Sequence, residues 1–209
     1  MPQFCDKNGY LNIYNWVIES LPGYDLTENA KALGLKPLPG GAVVVPLLSR
    51  EYLVDSSGVK ALDEEHSDVN SLSIAAHYAM SRGRGLPSMS FASLFSMSGL
   101  SAGSGQGSFD RDAVSKPLAK RFASDLDGLN RAVTRLGGRK EPQLKKGTIS
   151  YVLFALPRIP IKIVFNQADE DFEDEFSLLY DSRTLDFMEF EAVAFLGGLV
   201  VTELLKEPV

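Results

Sequence analysis

Residues 149–182, ISYVLFALPRIPIKIVFNQADEDFEDEFSLLYDS, constrain the fold more than any other part of the chain. Residues 151–156 and 161–165 are runs of aromatic and branched side chains of strand length, with Pro157 and Pro160 between them. Such runs favour extended pairing, whereas proline supplies no ladder donor and pushes its predecessor toward extended geometry. The prediction is two strands joined by a bend over 156–160, with Arg158 on the bend. Residues 166–175 then read as a loop and 176–180 as a return strand. Asp169, Glu170, Asp171, Glu173, Asp174 and Glu175 crowd around Phe172, so the simplest drawing is a β-hairpin with a carboxylate-rich tip.

Elsewhere the patterning is largely helical. Ile13, Trp16, Val17 and Leu21 recur at helical spacing and Pro22-Gly23 ends that element. Asp25-Leu-Thr-Glu28 has capping-box spacing for a helix over 26–33, and Gly34 fits a left-handed C-terminal cap. Residues 42–48 and 51–54 read as strands, and 69–82 as a helix carrying His77 and Tyr78 beside its apolar side. The apolar spacing from Val114 to Leu136 predicts the longest helix, with Ser115 as N-cap and Pro117 in the permissive first turn. The last helix, 186–206, contains Gly197-Gly198, which costs about 1 kcal/mol per glycine relative to alanine and so implies close packing or a kink. The fold class is α+β: a central, mostly antiparallel sheet of about five strands packed by about five helices. One domain is expected over 1–209, with an N-terminal helical part at about 1–36 and a core at about 40–206.

Charge and cysteine usage exclude several function classes. Cys5 is the single cysteine, so the chain can form no internal disulfide and cannot supply the roughly four thiolates of an iron–sulfur cluster. No cofactor is therefore expected in this chain, and any iron–sulfur role falls to a partner. The N-terminus lacks a basic segment followed by an apolar core, and the longest apolar run, 192–201, falls short of the ~20 residues that span a bilayer. The expectation is a cytoplasmic protein without membrane association. Residues 111–146 hold ten basic side chains against four acidic ones, whereas 167–191 hold ten acidic ones against Arg183 alone. These read as two solvated faces of opposite sign, whose exposed pairs contribute only ~0–1 kcal/mol each. A pI near 5.0 and the lone aromatic Phe122 within the basic run argue against a nucleic-acid partner.

Candidate chemistry is sparse. Asp63-Glu-Glu-His66 has metal-ligating side chains but poor spacing for one ion, and the reading preferred is a plain acidic helix N-terminus. His77 is expected to be partly buried, either hydrogen-bonded in a helix–sheet seam or serving as a general acid/base near its ordinary pKa of about 6.5. The Gly/Ser-rich run 99–108 lacks the Lys-Ser/Thr pair of a phosphate loop and reads as a lid or a plain connection. The acidic loop admits three readings: a solvated tip, a divalent-cation site at Asp169, Asp171 and Glu173, or a docking surface for a basic partner. A calcium-binding hand is not formed, because Asp174 and Tyr180 stand where its glycine and bidentate glutamate belong.

The block 156–181 resembles an uncharacterised family, domain of unknown function 3786. Its pattern has a Leu-Pro-Arg-hydrophobic-Pro strand, here Leu156 to Pro160, an acidic loop, here Ala168 to Phe172, and a strand ending in Tyr-Asp, here Tyr180-Asp181. The likeness extends to Ala76-His77-Tyr78 and Lys116-Pro-Leu-Ala119 and covers most of 40–206; Ala168 stands where glycine is usual and Glu173 where proline is common. The resemblance implies an anaerobic setting, since some members carry a fused iron–sulfur module. It implies an accessory or binding module with a protein partner, a redox or cofactor-dependent enzyme. The alternative is a metal-dependent enzyme drawing on His77, Arg158, Asp169, Glu170, Asp171 and Asp181, which requires those groups to converge in one concave pocket. A purely structural partner would instead show a broad apolar patch. Arg158 is expected to neutralise Asp169 or Asp181.

Overall fold

The computed structural model describes residues 7–63, 68–98, 110–143, 145–168, 170 and 173–206. Lys7–Ser20 forms α1 and Ala30–Leu33 a single turn, α2. Lys36–Pro37 (β1), Val43–Leu47 (β2), Arg50–Asp55 (β3) and Gly58–Ala61 (β4) run as an antiparallel meander in a four-stranded sheet. Val69–Ala79 is α3, Phe91–Ala92 is β5 and Leu94–Ser98 is α4. A π-helical turn over Asp110–Ser115 leads into α5, Lys116–Phe122, and α6, Leu126–Arg135. Arg139–Lys140 (β6), Thr148–Leu156 (β7), Ile159–Asn166 (β8) and Glu175–Asp181 (β9) join β5 in a five-stranded antiparallel sheet, ordered β5-β9-β8-β7-β6. Phe190–Leu205 is α7.

The α+β class and the antiparallel pairing are as expected, but the strands of 36–61 build a sheet of their own. The helix expected over 115–136 is two helices. Asp125 breaks it: its carboxylate accepts the Gly128 N–H at 2.7 Å and so caps a new start, while Leu118, Phe122, Leu129 and Val133 stay inward on both pieces. Ser115 is not a cap; its hydroxyl accepts the Phe176 N–H at 3.0 Å and ties the π-helical turn to β9. Asp25 likewise folds back on Thr27 rather than closing a capping box, so α2 starts only at Ala30.

The proline-flanked runs pair as β7 and β8 around a two-residue turn, Pro157-Arg158, with Leu156 opposite Ile159. Their inward side chains continue across three strands: Ile149 faces Phe165, which faces Phe176 with ring centroids 4.7 Å apart, and Leu153 faces Ile161, which faces Tyr180. Pro160 is tolerated in a central strand because β9 begins its pairing one residue later, at Ile161. Opposite Pro160 the ladder slips between Phe154 and Leu156. The extra residue, Ala155, directs its carbonyl to the other sheet, where it accepts the Leu48 N–H at 2.8 Å from the β2–β3 turn. α3 lies on the first sheet and against α1 and α7, while α7 covers Leu178 and Tyr180 of the second.

The α7 glycines differ in what surrounds them. A β-carbon at Gly197 would overlap the Tyr180 hydroxyl, whereas one at Gly198 would meet open space. Close packing therefore explains the first and not the second. Gly197→Ala is expected to lower stability by about 1–3 kcal/mol through overpacking, and Gly198→Ala to raise it by about 0.5–1 kcal/mol through helix propensity. Thermal unfolding of the two variants checks this; equal effects would refute the close contact at Gly197.

Candidate functional site

Arg158 is held where the hairpin tip meets the N-terminal helical part. Gly34 adopts a left-handed φ of 75° after α2, and a β-carbon there would approach Pro157 Cβ to 3.0 Å. Against this glycine, Arg158 Nε donates to the Ala32 carbonyl at 2.8 Å, which serves an orphan acceptor at the end of α2. The Arg158 N–H donates to the Tyr78 hydroxyl at 3.0 Å, and that hydroxyl donates to the Leu33 carbonyl at 2.7 Å. Burial pushes the Tyr78 phenol well above its ordinary value, so it stays a neutral donor. The expected pairing of Arg158 with Asp181 is not formed, because the arginine is spent on closing α2.

Asp181 has a different task. It is 0% exposed, and its carboxylate accepts the Ser88 N–H at 3.1 Å, the Ser88 hydroxyl at 3.0 Å, the Arg183 N–H at 3.0 Å and the Met89 N–H. Two residues on, Arg183 donates to the carbonyls of Leu86 at 3.0 Å and Arg84 at 2.8 Å and pairs with Asp186 at 2.9 Å. Gly85, at φ 93°, leaves room for that guanidinium; a β-carbon would come within 2.7 Å of its Nη1. From the opposite side Asn29 donates to the carbonyls of Ser81 at 3.0 Å and Gly83 at 2.9 Å. The irregular segment 81–90 is thus fastened residue by residue, and the fastening holds Met89 at φ 60°, a left-handed conformation that non-glycine residues seldom adopt. Leu86 and Met89 remain 64% and 42% exposed.

His77 lies on α3 as expected, half-buried, with Nδ1–H donating to the Ser73 carbonyl at 3.2 Å and its ring 5.9 Å from that of Trp16. Burial holds the imidazole below its ordinary 6.5, against the opposing pull of the Ser73 carbonyl and of Glu189. Among the described residues no hydrogen bond or ion pair joins any two of His77, Arg158 and Asp181. None of them lines the apolar cavity of about 190 Å³ between α4, the π-helical turn and α7, which is walled by Phe95, Val114, Phe190 and Gly198.

At the hairpin tip, Asp174 accepts the Ala168 N–H at 2.8 Å, while Glu170, Glu173 and Glu175 are exposed. Asp169 and Asp171 lie outside the described residues, as do His66 and the Gly/Ser-rich 99–108. Among the described residues no group of three His, Cys, Asp or Glu side chains is placed to hold a metal ion. Nor does any ion pair there involve Glu170, Glu173, Asp174 or Glu175; Lys116 and Arg121 of the basic run pair locally, with Asp112 at 2.6 Å and Asp125 at 3.2 Å. The clamp residues Arg183, Asn29 and Ser88 were not legible as such, although Arg183 stands out as the lone base in an acidic run.

A family model described as a domain of unknown function, DUF3786, matches residues 25–203. Neither a curated protein nor a solved structure matches the chain.

Asp181→Ala leaves three amides and a hydroxyl without their acceptor and is expected to cost about 3 kcal/mol. Urea unfolding measures the loss, and amide exchange locates it: exchange should accelerate first at 84–90, and unchanged protection there would contradict the clamp. For His77 the sign follows from its lowered value. The unfolded chain takes up the proton more readily, so its contribution is complete above pH 6.5 and is lost as pH falls below that. His77→Gln should flatten stability between pH 7 and 5 relative to the parent, and an unchanged slope would reject the assignment.

Proposed function

The chain belongs to the DUF3786 family, whose model covers residues 25–203, and on that premise we propose that it is a protein-binding module presenting segment 81–90 as a pre-organised apolar epitope. The observation that carries this reading is the conformation of Met89. A buried carboxylate holds its backbone in a strained region while its side chain stays in solvent, and strain of this kind persists only where the surroundings impose it. A loop already fixed loses little conformational entropy when a partner closes over Leu86 and Met89.

The exposed carboxylates Glu170, Glu173 and Glu175 at the other end of β9 favour approach by a cationic partner, and such steering acts on association rate more than on final affinity. The partner assigned to this surface is a redox or cofactor-dependent protein of an anaerobic system, as the family resemblance implies. The enzyme alternative draws no support from His77, Arg158 and Asp181, each of which is occupied separately in holding structure.

A photo-crosslinking residue at position 86, with one at exposed Lys60 as control, tests this in the native cell. The expected result is a partner captured from position 86 alone. With that partner purified, Leu86→Ala and Met89→Ala should each weaken binding about tenfold without lowering the melting temperature. Met89→Gly should raise stability by up to about 1 kcal/mol and still weaken binding. Identical captures at both positions, or undiminished affinity in the alanine variants, would overturn the reading.

A further inference from the structure

We propose that the cavity walled by Arg121, Arg131, Arg135 and Lys206 binds a small tetrahedral oxyanion of the phosphate class. Three elements converge there: Arg121 near the end of α5, Arg131 and Arg135 four residues apart on α6, and Lys206 just past α7. The cavity measures about 110 Å³ and has an apolar floor of Phe122, Ala132 and Leu204.

The charges around it do not balance. Asp125 is fixed as the α6 cap, with Oδ1 on the Gly128 N–H at 2.7 Å. From there it reaches Arg121 Nη1 at 3.2 Å but Arg131 Nη2 only at 3.8 Å, too far for a hydrogen bond. Glu203 takes the Lys206 ammonium at 2.6 Å. Among the described residues Arg135 pairs with no carboxylate; its Nη2 donates to the Glu203 carbonyl at 2.5 Å and the Lys206 carbonyl at 3.4 Å, at the end of α7. Among the described residues four cations thus share two carboxylates, and Arg135 commits one nitrogen of a fork that carries five N–H groups.

That arrangement selects the ligand. Guanidinium forks match the oxygens of a tetrahedral oxyanion, and a charge-assisted bond is roughly twice as strong as a neutral one. The volume suits one such group, and the cations form a pocket rather than the stripe that tracks a nucleic-acid backbone. Asp125 and Glu203 remain as competitors for the same donors.

The test uses the full chain and inorganic phosphate, with sodium chloride at matched ionic strength as reference and glycerol phosphate as a parallel arm. At ten times its Kd, phosphate should raise the melting temperature by about 3–5 °C over chloride. Arg131→Gln should abolish most of that rise and leave the unliganded melting temperature unchanged, since its side chain is 65% exposed and its one ion pair among the described residues is the long one to Asp125; Lys145→Gln, elsewhere in the basic run, should retain it. Calorimetric titration separates the sources: equal affinity for the two ligands assigns free phosphate, and at least tenfold tighter glycerol phosphate assigns a phosphorylated metabolite. A phosphate effect no larger than that of chloride, or one undiminished in Arg131→Gln, would overturn the site.

Discussion

The Tyr78 hydroxyl is the contact on which the rest of the fold depends. It gives its proton to the Leu33 carbonyl and receives the Arg158 amide, joining α2, α3 and the β7–β8 turn at one buried atom. These stretches are far apart in sequence, and none could leave its polar backbone group buried and unpaired without a cost of about 1–3 kcal/mol. The neighbouring contacts follow from this one. Pro157 presses on Gly34, and the Arg158 side chain closes α2, because the turn has been brought to that place.

The same end of that sheet is fastened a second time with different chemistry, for Asp181 closes β9 one residue beyond the Ile161–Tyr180 pair. There a carboxylate and a guanidinium, Asp181 and Arg183, hold backbone groups of 84–89, the segment that leads into β5 beside β9. The two most specific pieces of the family pattern, the proline–arginine turn and the Tyr-Asp strand end, therefore serve as fasteners. Among the described residues His77, Arg158, Asp181 and Arg183 are engaged in holding structure, and the surface beside them offers an exposed apolar loop, acidic side chains and a basic hollow.

How much of this was legible in the sequence depends on the range of the interaction. Strands β7, β8 and β9 were readable because their apolar runs and bounding prolines act locally, and Gly34 because a left-handed cap needs only its neighbours. The break between α5 and α6 was hidden, since the apolar spacing of Leu118, Phe122, Leu129 and Val133 continues through it and only the Asp125 carboxylate decides otherwise. Segment 81–90 offered no local signal because its order comes from residues up to 99 positions away. The basic run was visible as charge, but its gathering with Lys206 depends on where α7 ends.

The bulge at Ala155 has a consequence for how the two sheets are coupled. Leu156 pairs with Ile159 and Phe154 with Pro160 on either side of it, so the hairpin would close equally well with that residue absent. What would vanish is the outward carbonyl that receives Leu48. Each sheet is self-sufficient in its own ladder, and this supernumerary residue adds a backbone hydrogen bond between them to the packing of α3 and α7. Lineages that gain or lose a residue at this point could therefore re-aim one sheet against the other while keeping both intact.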